Sequence, residues 1–268
     1  PRSTRKESSA ASDVYKRQWE NFMKYILGFV LVFSIGLFAE EDEYRYEPQG
    51  NAAEYYIGQF NRGKDLDDLT KWYGKFADWA EDKGVYDDMT IGILTPYFHS
   101  DLSSTDVVWV NNFPTQSAQY AALNAWMTQG GSQLLKSLPV TNNRQMSTFQ
   151  WVVSTPNDPE EGDMMMAVYS DCKFDEGYNG RQVYDLYMDF AVYAQSQGDT
   201  VGRKMIFPGS GYDGDADFVR LLYTSSIDAM GVNRELFWDK LQDSEAAQNL
   251  EGFSCSNPRE YVGLSMRG

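Results

Sequence analysis

The sequence carries one pattern twice, and that repetition limits the fold more than any other feature. Trp72, Phe76, Trp79 and Gly84 recur as Leu186, Phe190, Tyr193 and Gly198. Pro96 recurs as Pro208, Asp106 as Asp217 and Trp126 as Trp238, all at a spacing of about 112 residues. The small drifts in spacing fall between apolar segments, where loop length is free to change. A chain of this kind builds one supersecondary unit twice, and each copy must bury an apolar face against something, the other copy included.

Each copy reads strand, helix, strand, strand, helix, strand. In the first, residues 54–155, a strand at Glu54–Phe60 precedes a helix from Leu66 to about Asp82. That helix sets Leu69, Trp72, Tyr73, Phe76 and Trp79 on one face, and Gly84 stands where a helix stops. Strands follow at Met89–Tyr97 and Asp106–Asn112, then a helix over about 115–128 and a strand at Thr148–Thr155. The loop Pro156–Asp163, with two Pro, one Gly and four acids, separates the copies. The second copy, residues 164–268, opens with a strand at Met164–Phe174. A helix over Gly180–Ser196 follows, with Val183, Leu186, Tyr187, Phe190 and Tyr193 on one face. Strands at Arg203–Phe207 and Asp217–Tyr223, a helix around Asn233–Leu241 and a strand at Arg259–Met266 complete it.

Upstream of the copies the chain reads as processing segments. Residues 1–22 are polar, begin without Met and show no apolar period, as a non-native adaptor-derived tail would. In 23–39, Lys24 precedes an uncharged apolar run that ends on Ala39 before four acids, the layout of a secretory signal peptide. The run from Tyr25 to Ala39 is shorter than the roughly 20 residues a membrane helix needs. Leu37 stands where a small residue is usual, which leaves the cleavage position open, and no Cys follows to take a lipid. Residues 40–53 read as a linker. The expected location is therefore secreted or periplasmic, with no stable membrane association after cleavage. A formal charge of −16 disfavours nucleic acid and anionic lipid as partners, because both require a basic patch. It fits solubility, or a cationic partner.

A β-α-β-β-α-β unit is the ferredoxin-like arrangement, a four-stranded antiparallel sheet of order 4-1-3-2 with both helices on one face. The other face is left uncovered, yet MTIGIL and DVVWV are apolar at consecutive positions, as strands buried on both faces are. The fold class is accordingly α+β, with two ferredoxin-like repeats packed sheet to sheet. From Glu54 to Met266, in element order, helix patterning and duplication, the chain resembles the dimeric α/β-barrel superfamily in its fused, tandem form. That superfamily includes monooxygenases and chlorite-dismutase-like haem proteins, and its inter-sheet space often holds a small ligand or haem. The resemblance thus implies a fold and a site location but no reaction.

In the 4-1-3-2 order, Cys172 near the end of one strand and Cys255 just before another fall on antiparallel neighbours, and a disulfide between them is expected of an exported protein. Closing a loop of this length contributes roughly 4–5 kcal/mol in the chain-entropy account.

Signatures of specific chemistry are few. His99 is the single histidine, so with two paired cysteines no zinc site of the usual ligands assembles, and no metal is expected. It reads as a loop residue near Asp101. Chlorite-dismutase-like proteins carry their haem ligand in the second half, where this chain has no His, so no cofactor is expected. Gly211–Asp217 lacks the spacing of a calcium loop and reads as a tight turn. The informative residues are polar ones inside apolar strands: Gln59, Asn111, Gln150, Asp171 and Arg220. Facing the inter-sheet space, they would orient a ligand among Tyr56, Trp109, Trp151, Tyr169 and Tyr223. Alternatively they reach solvent at sheet edges, or Arg220 pairs with Asp171. The candidate ligand site is Gln59, Trp109, Asn111, Asp171, Arg220 and Tyr223. The expected function is binding a small, partly apolar molecule between the sheets. A cofactor-independent monooxygenase in the same cavity and an interaction module without a ligand are the alternatives.

Overall fold

The structure is a computed structural model and describes residues 44–157 and 164–267. The tail 1–22, the segment 23–39, the start of the linker and most of the loop 156–163 lie outside the described residues. Eight strands appear in the order the repeat requires. They are β1 (Gln49–Phe60), β2 (Thr90–Pro96), β3 (Val107–Phe113) and β4 (Val140–Ser154), then β5 (Met165–Phe174), β6 (Gly202–Pro208), β7 (Phe218–Thr224) and β8 (Phe253–Arg267). Helices α1 (Leu66–Glu81) and α2 (Gln116–Thr128) belong to the first repeat, and α3 (Gly180–Ser196) and α4 (Ile227–Leu236) to the second. A short 3₁₀ turn, Gly131–Ser137, follows α2; a π turn, Phe237–Leu241, and α5 (Glu245–Gln248) follow α4. β1 begins five residues earlier than the sequence pattern indicates, so Gln49–Ala53 pair in the sheet instead of linking to it.

All eight strands are antiparallel and close into one barrel of order β1-β3-β2-β8-β5-β7-β6-β4. Within each repeat this is the expected 4-1-3-2 order. The two sheets do not end at free edges: β2 pairs with β8 and β4 with β6, so each repeat caps the edges of the other. Alternation along the strands then sorts side chains into two environments. Ala53, Tyr55, Val108, Val110, Leu94, Ala167, Ile206, Leu221 and Tyr261 cluster inside the barrel. The opposite faces pack under the helices as two further cores, one per repeat.

The duplication extends to individual hydrogen bonds. Asp106 donates its backbone N–H to Gly58 O at 3.0 Å and accepts Phe60 N–H on its carboxylate at 2.9 Å. Asp217 makes the same pair, to Cys172 O at 2.9 Å and from Phe174 N–H at 2.8 Å. Helix starts match as well: Asp65 and Asn179 cap α1 and α3, and Thr115 and Ser226 cap α2 and α4, each accepting a first-turn N–H. Gly84 and Gly198 both take positive φ, +61° and +96°, in turning out of their helices. One correspondence shifts. Trp126 packs in the first core, with ring centroids 6.1 Å from Phe76, whereas Trp238 is exposed and Phe237 takes the inner place, 6.5 Å from Phe190. Counted from the matched caps Thr115 and Ser226, the residue that corresponds to Trp126 is Phe237, and Trp238 is its neighbour.

Candidate functional site

Two of the cavities among the described residues have the size and lining of a binding site. The larger, about 590 Å³, lies in the barrel at the end framed by the loops after β2 and β6. It falls within the ~300–1,000 Å³ typical of small-molecule sites. Three tyrosine rings wall it, stacked edge to face: Tyr55 on Tyr169 at 6.2 Å and Tyr169 on Tyr261 at 5.5 Å. Burial raises the hydroxyl pKa of all three, so they remain neutral phenols. At the rim, Arg259 grips Asp171 through two hydrogen bonds of 2.8 Å, and Asn257 adds a third at 2.9 Å. Burial works against the Asp171 charge, but these hydrogen bonds and the guanidinium outweigh it and hold the carboxyl below its ordinary pKa. His99 also stands at the rim, its ring edge-on to Tyr261 at 5.8 Å. Its Nδ1 accepts the Asp101 N–H at 3.0 Å, so in neutral His99 the proton sits on Nε2. The turn at Gly211–Asp217 contributes Tyr212, Asp213 and Gly214 to the same rim.

Further along the barrel, Gln150 is fully buried and donates to Tyr55 Oη at 2.9 Å. Its carbonyl receives Lys204 Nζ at 3.1 Å, and that ammonium sits 6.0 Å from the centre of the Tyr223 ring. Burial lowers the Lys204 pKa to about 8.

The second cavity, about 310 Å³, lies between the first repeat's helices and its sheet. Trp72, Phe76, Tyr86, Trp109 and Trp126 form its walls, and Glu54 and Asn111 its polar end. Glu54 accepts three hydrogen bonds there, from Tyr56 Oη at 3.0 Å, Asn111 Nδ2 at 3.2 Å and Gln119 Nε2 at 3.3 Å. Trp109 Nε1 fixes the Asn111 amide by donating to its Oδ1 at 2.6 Å.

The six sequence candidates divide between these places. Trp109 and Asn111 line the helix-side cavity, and Asp171 lines the barrel cavity. Tyr223 lies inside the barrel beneath Lys204. Gln59 hydrogen-bonds Ser103 O and Asn143 near the barrel end. Arg220 sits opposite Ser170 in the register, on the face away from the lumen, and its Nε has no hydrogen-bond partner among the described residues. The partner of Asp171 is Arg259, not Arg220. Strands buried on both faces give no periodic clue to which side a polar residue takes, and that is why one list mixes both sides of the barrel wall. Glu54, Gln119, Lys204, Arg259 and Tyr261 were not singled out by sequence. Cys172 and Cys255 stand directly opposite on β5 and β8 and are disulfide-bonded.

Among the described residues no group of three or more His, Cys, Asp or Glu is placed to hold a metal ion. A haem does not fit the second repeat's helix–sheet layer. Tyr184, Tyr187, Phe190 and Phe218 fill that layer, and the single histidine stands at the barrel rim instead.

No protein-family model matches the chain, and no curated protein matches it. Solved structures do. A proposed monooxygenase from Lactobacillus acidophilus NCFM is 7% identical, with 82% of this chain and 94% of that one covered at a TM-score of 0.49. A proposed monooxygenase from Fusobacterium nucleatum is 11% identical over 83% and 94%, also at 0.49. Chlorite dismutase from Candidatus Nitrospira defluvii, solved in complex with imidazole, is 16% identical over 84% and 95% at 0.41. The likeness is one of chain path, and no residue role is taken from it.

Proposed function

We propose that this is an exported protein that binds a small, partly apolar molecule inside its barrel, between two fused ferredoxin-like repeats. The carrying observation is the 590 Å³ cavity, with its wall of buried tyrosine rings and its rim ion pair of Asp171 and Arg259. An apolar body packs on the rings, and the ion pair, Asn257 and His99 meet its polar end. Export is supported by the layout of residues 23–39 and by the Cys172–Cys255 disulfide, which persists in oxidising compartments. Cofactor-independent oxygenation would use the same cavity. In that reading the lumen side chains bind and orient, and neutral His99 offers a donor at Nε2. Product formation that requires oxygen identifies the enzyme.

Native mass spectrometry of protein purified gently from an exporting host tests the reading. We expect an added mass that leaves on denaturation and is lost in V219W, whose indole fills the lumen. An unliganded mass from every exporting host, or an added mass indifferent to V219W in the folded variant, overturns it.

A further inference from the structure

The helix–sheet layer that holds this cavity has a counterpart in the second repeat, and the two differ at three matched positions. The spacing that aligns the shared helix caps and Asp106 with Asp217 puts Glu54, Asn111 and Gln119 where the second repeat has Val168, Leu222 and Met230. Those three residues form a small apolar cluster of their own. The fold therefore closes this layer with hydrocarbon in one repeat and with a carboxylate and two amides in the other. A partly buried carboxylate is costly without a counter-charge. Yet the hydrogen bonds to Glu54 come from neutral groups, and no lysine or arginine among the described residues pairs with it. Burial, and next the Glu54 charge, push the Tyr56 and Tyr86 hydroxyls above the ordinary phenol range, so neither ring becomes a second anion. A cation would balance that charge, and the walls around Glu54 are aromatic faces, which attract cations electrostatically. The way in is apolar and open: Leu123, Met127 and Leu135 line the cavity and are exposed.

We propose that this cavity binds an organic monocation, an alkyl- or arylalkyl-ammonium, with its charge on Glu54 and its apolar body among Trp72, Phe76, Trp109 and Trp126. One carboxylate selects a single positive charge, and the 310 Å³ volume limits the body to a small amine. This site is separate from the barrel cavity and stands whether or not that cavity holds a ligand.

Benzyltrimethylammonium and its neutral isostere neopentylbenzene are the probes, followed by tryptophan fluorescence and calorimetry. We expect saturable binding of the ammonium, no binding of the neutral isostere at equal concentration, and at least about tenfold weaker binding in E54Q. A second variant, A122F, leaves Glu54 in place and fills the cavity from α2, and should abolish binding. No saturable signal up to about 10 mM on folded wild-type protein overturns the proposal. So does equal affinity for the neutral isostere, or unchanged affinity in folded E54Q or folded A122F. If either variant fails to fold, the cation-versus-isostere comparison on wild-type protein decides.

Discussion

The two repeats share caps, turns and strand pairing, yet their helix–sheet layers are built on opposite principles. In the second, Tyr184, Tyr187, Phe190, Met205 and Phe218 are buried together, and beside them Arg203 meets Asp199 at 2.7 Å. In the first, a comparable set of aromatic rings surrounds a 310 Å³ space with Glu54 at its end. The difference teaches that the fold has no need of the Glu54 cluster, since its sister closes the same place with Val168, Leu222 and Met230. Polar groups that folding does not require, held by three directed hydrogen bonds, are what a binding site contains.

The contrast is open to attack at several points. The largest effect expected is from truncating matched rings. F190A removes a ring from a filled layer, where it lies 6.5 Å from Phe237 and carries the Arg203 guanidinium at 5.4 Å, and should cost ~3–5 kcal/mol. F76A removes a ring that already borders a void, and should cost ~1–2 kcal/mol less, because the space beside it lets the surrounding side chains relax into the gap. Equal losses in urea unfolding would mean that the first layer is as solid as the second.

A smaller effect concerns Lys204, whose place in the first repeat is held by Gly92. Its pKa is lowered from 10.5 to about 8 in the folded protein. The folded state thus binds fewer protons than the unfolded state between these values, so this group makes stability rise with pH from about 8 to about 10.5. Below pH 8 the buried charge is a constant burden. K204M should therefore stabilise by ~1 kcal/mol at neutral pH and flatten the alkaline rise, as read from unfolding midpoints across pH. A wild-type slope that persists in K204M assigns the rise to other groups.

Much of the scaffold was legible because it rests on local signals. The faces of α1 and α3, Gly84 and Gly198 at their ends, and the pairing of Asp106 with Asp217 all follow from spacing. The Cys172–Cys255 pairing follows from strand order within one repeat. The barrel was implied only by the resemblance to fused α/β-barrel proteins, since the β2–β8 and β4–β6 pairings join edges far apart in sequence and leave no periodic trace. The Trp126 match failed because a chance tryptophan one residue along, Trp238, outweighed the spacing set by the caps, which selects Phe237. The Glu54 cluster escaped because it joins residues from β1, β3 and α2, none of which forms a motif alone. Read against the second repeat, the same residues stand out as polar positions whose counterparts are apolar.

The most direct test of the central claim, that the Glu54 cluster serves binding and not folding, is equilibrium unfolding of E54V/N111L/Q119M. That triple variant gives the first repeat the second repeat's residues. The account predicts a cooperative protein at least as stable as wild type, with a gain of ~1–3 kcal/mol. A loss of about 1 kcal/mol or more would contradict it and make the cluster part of the fold.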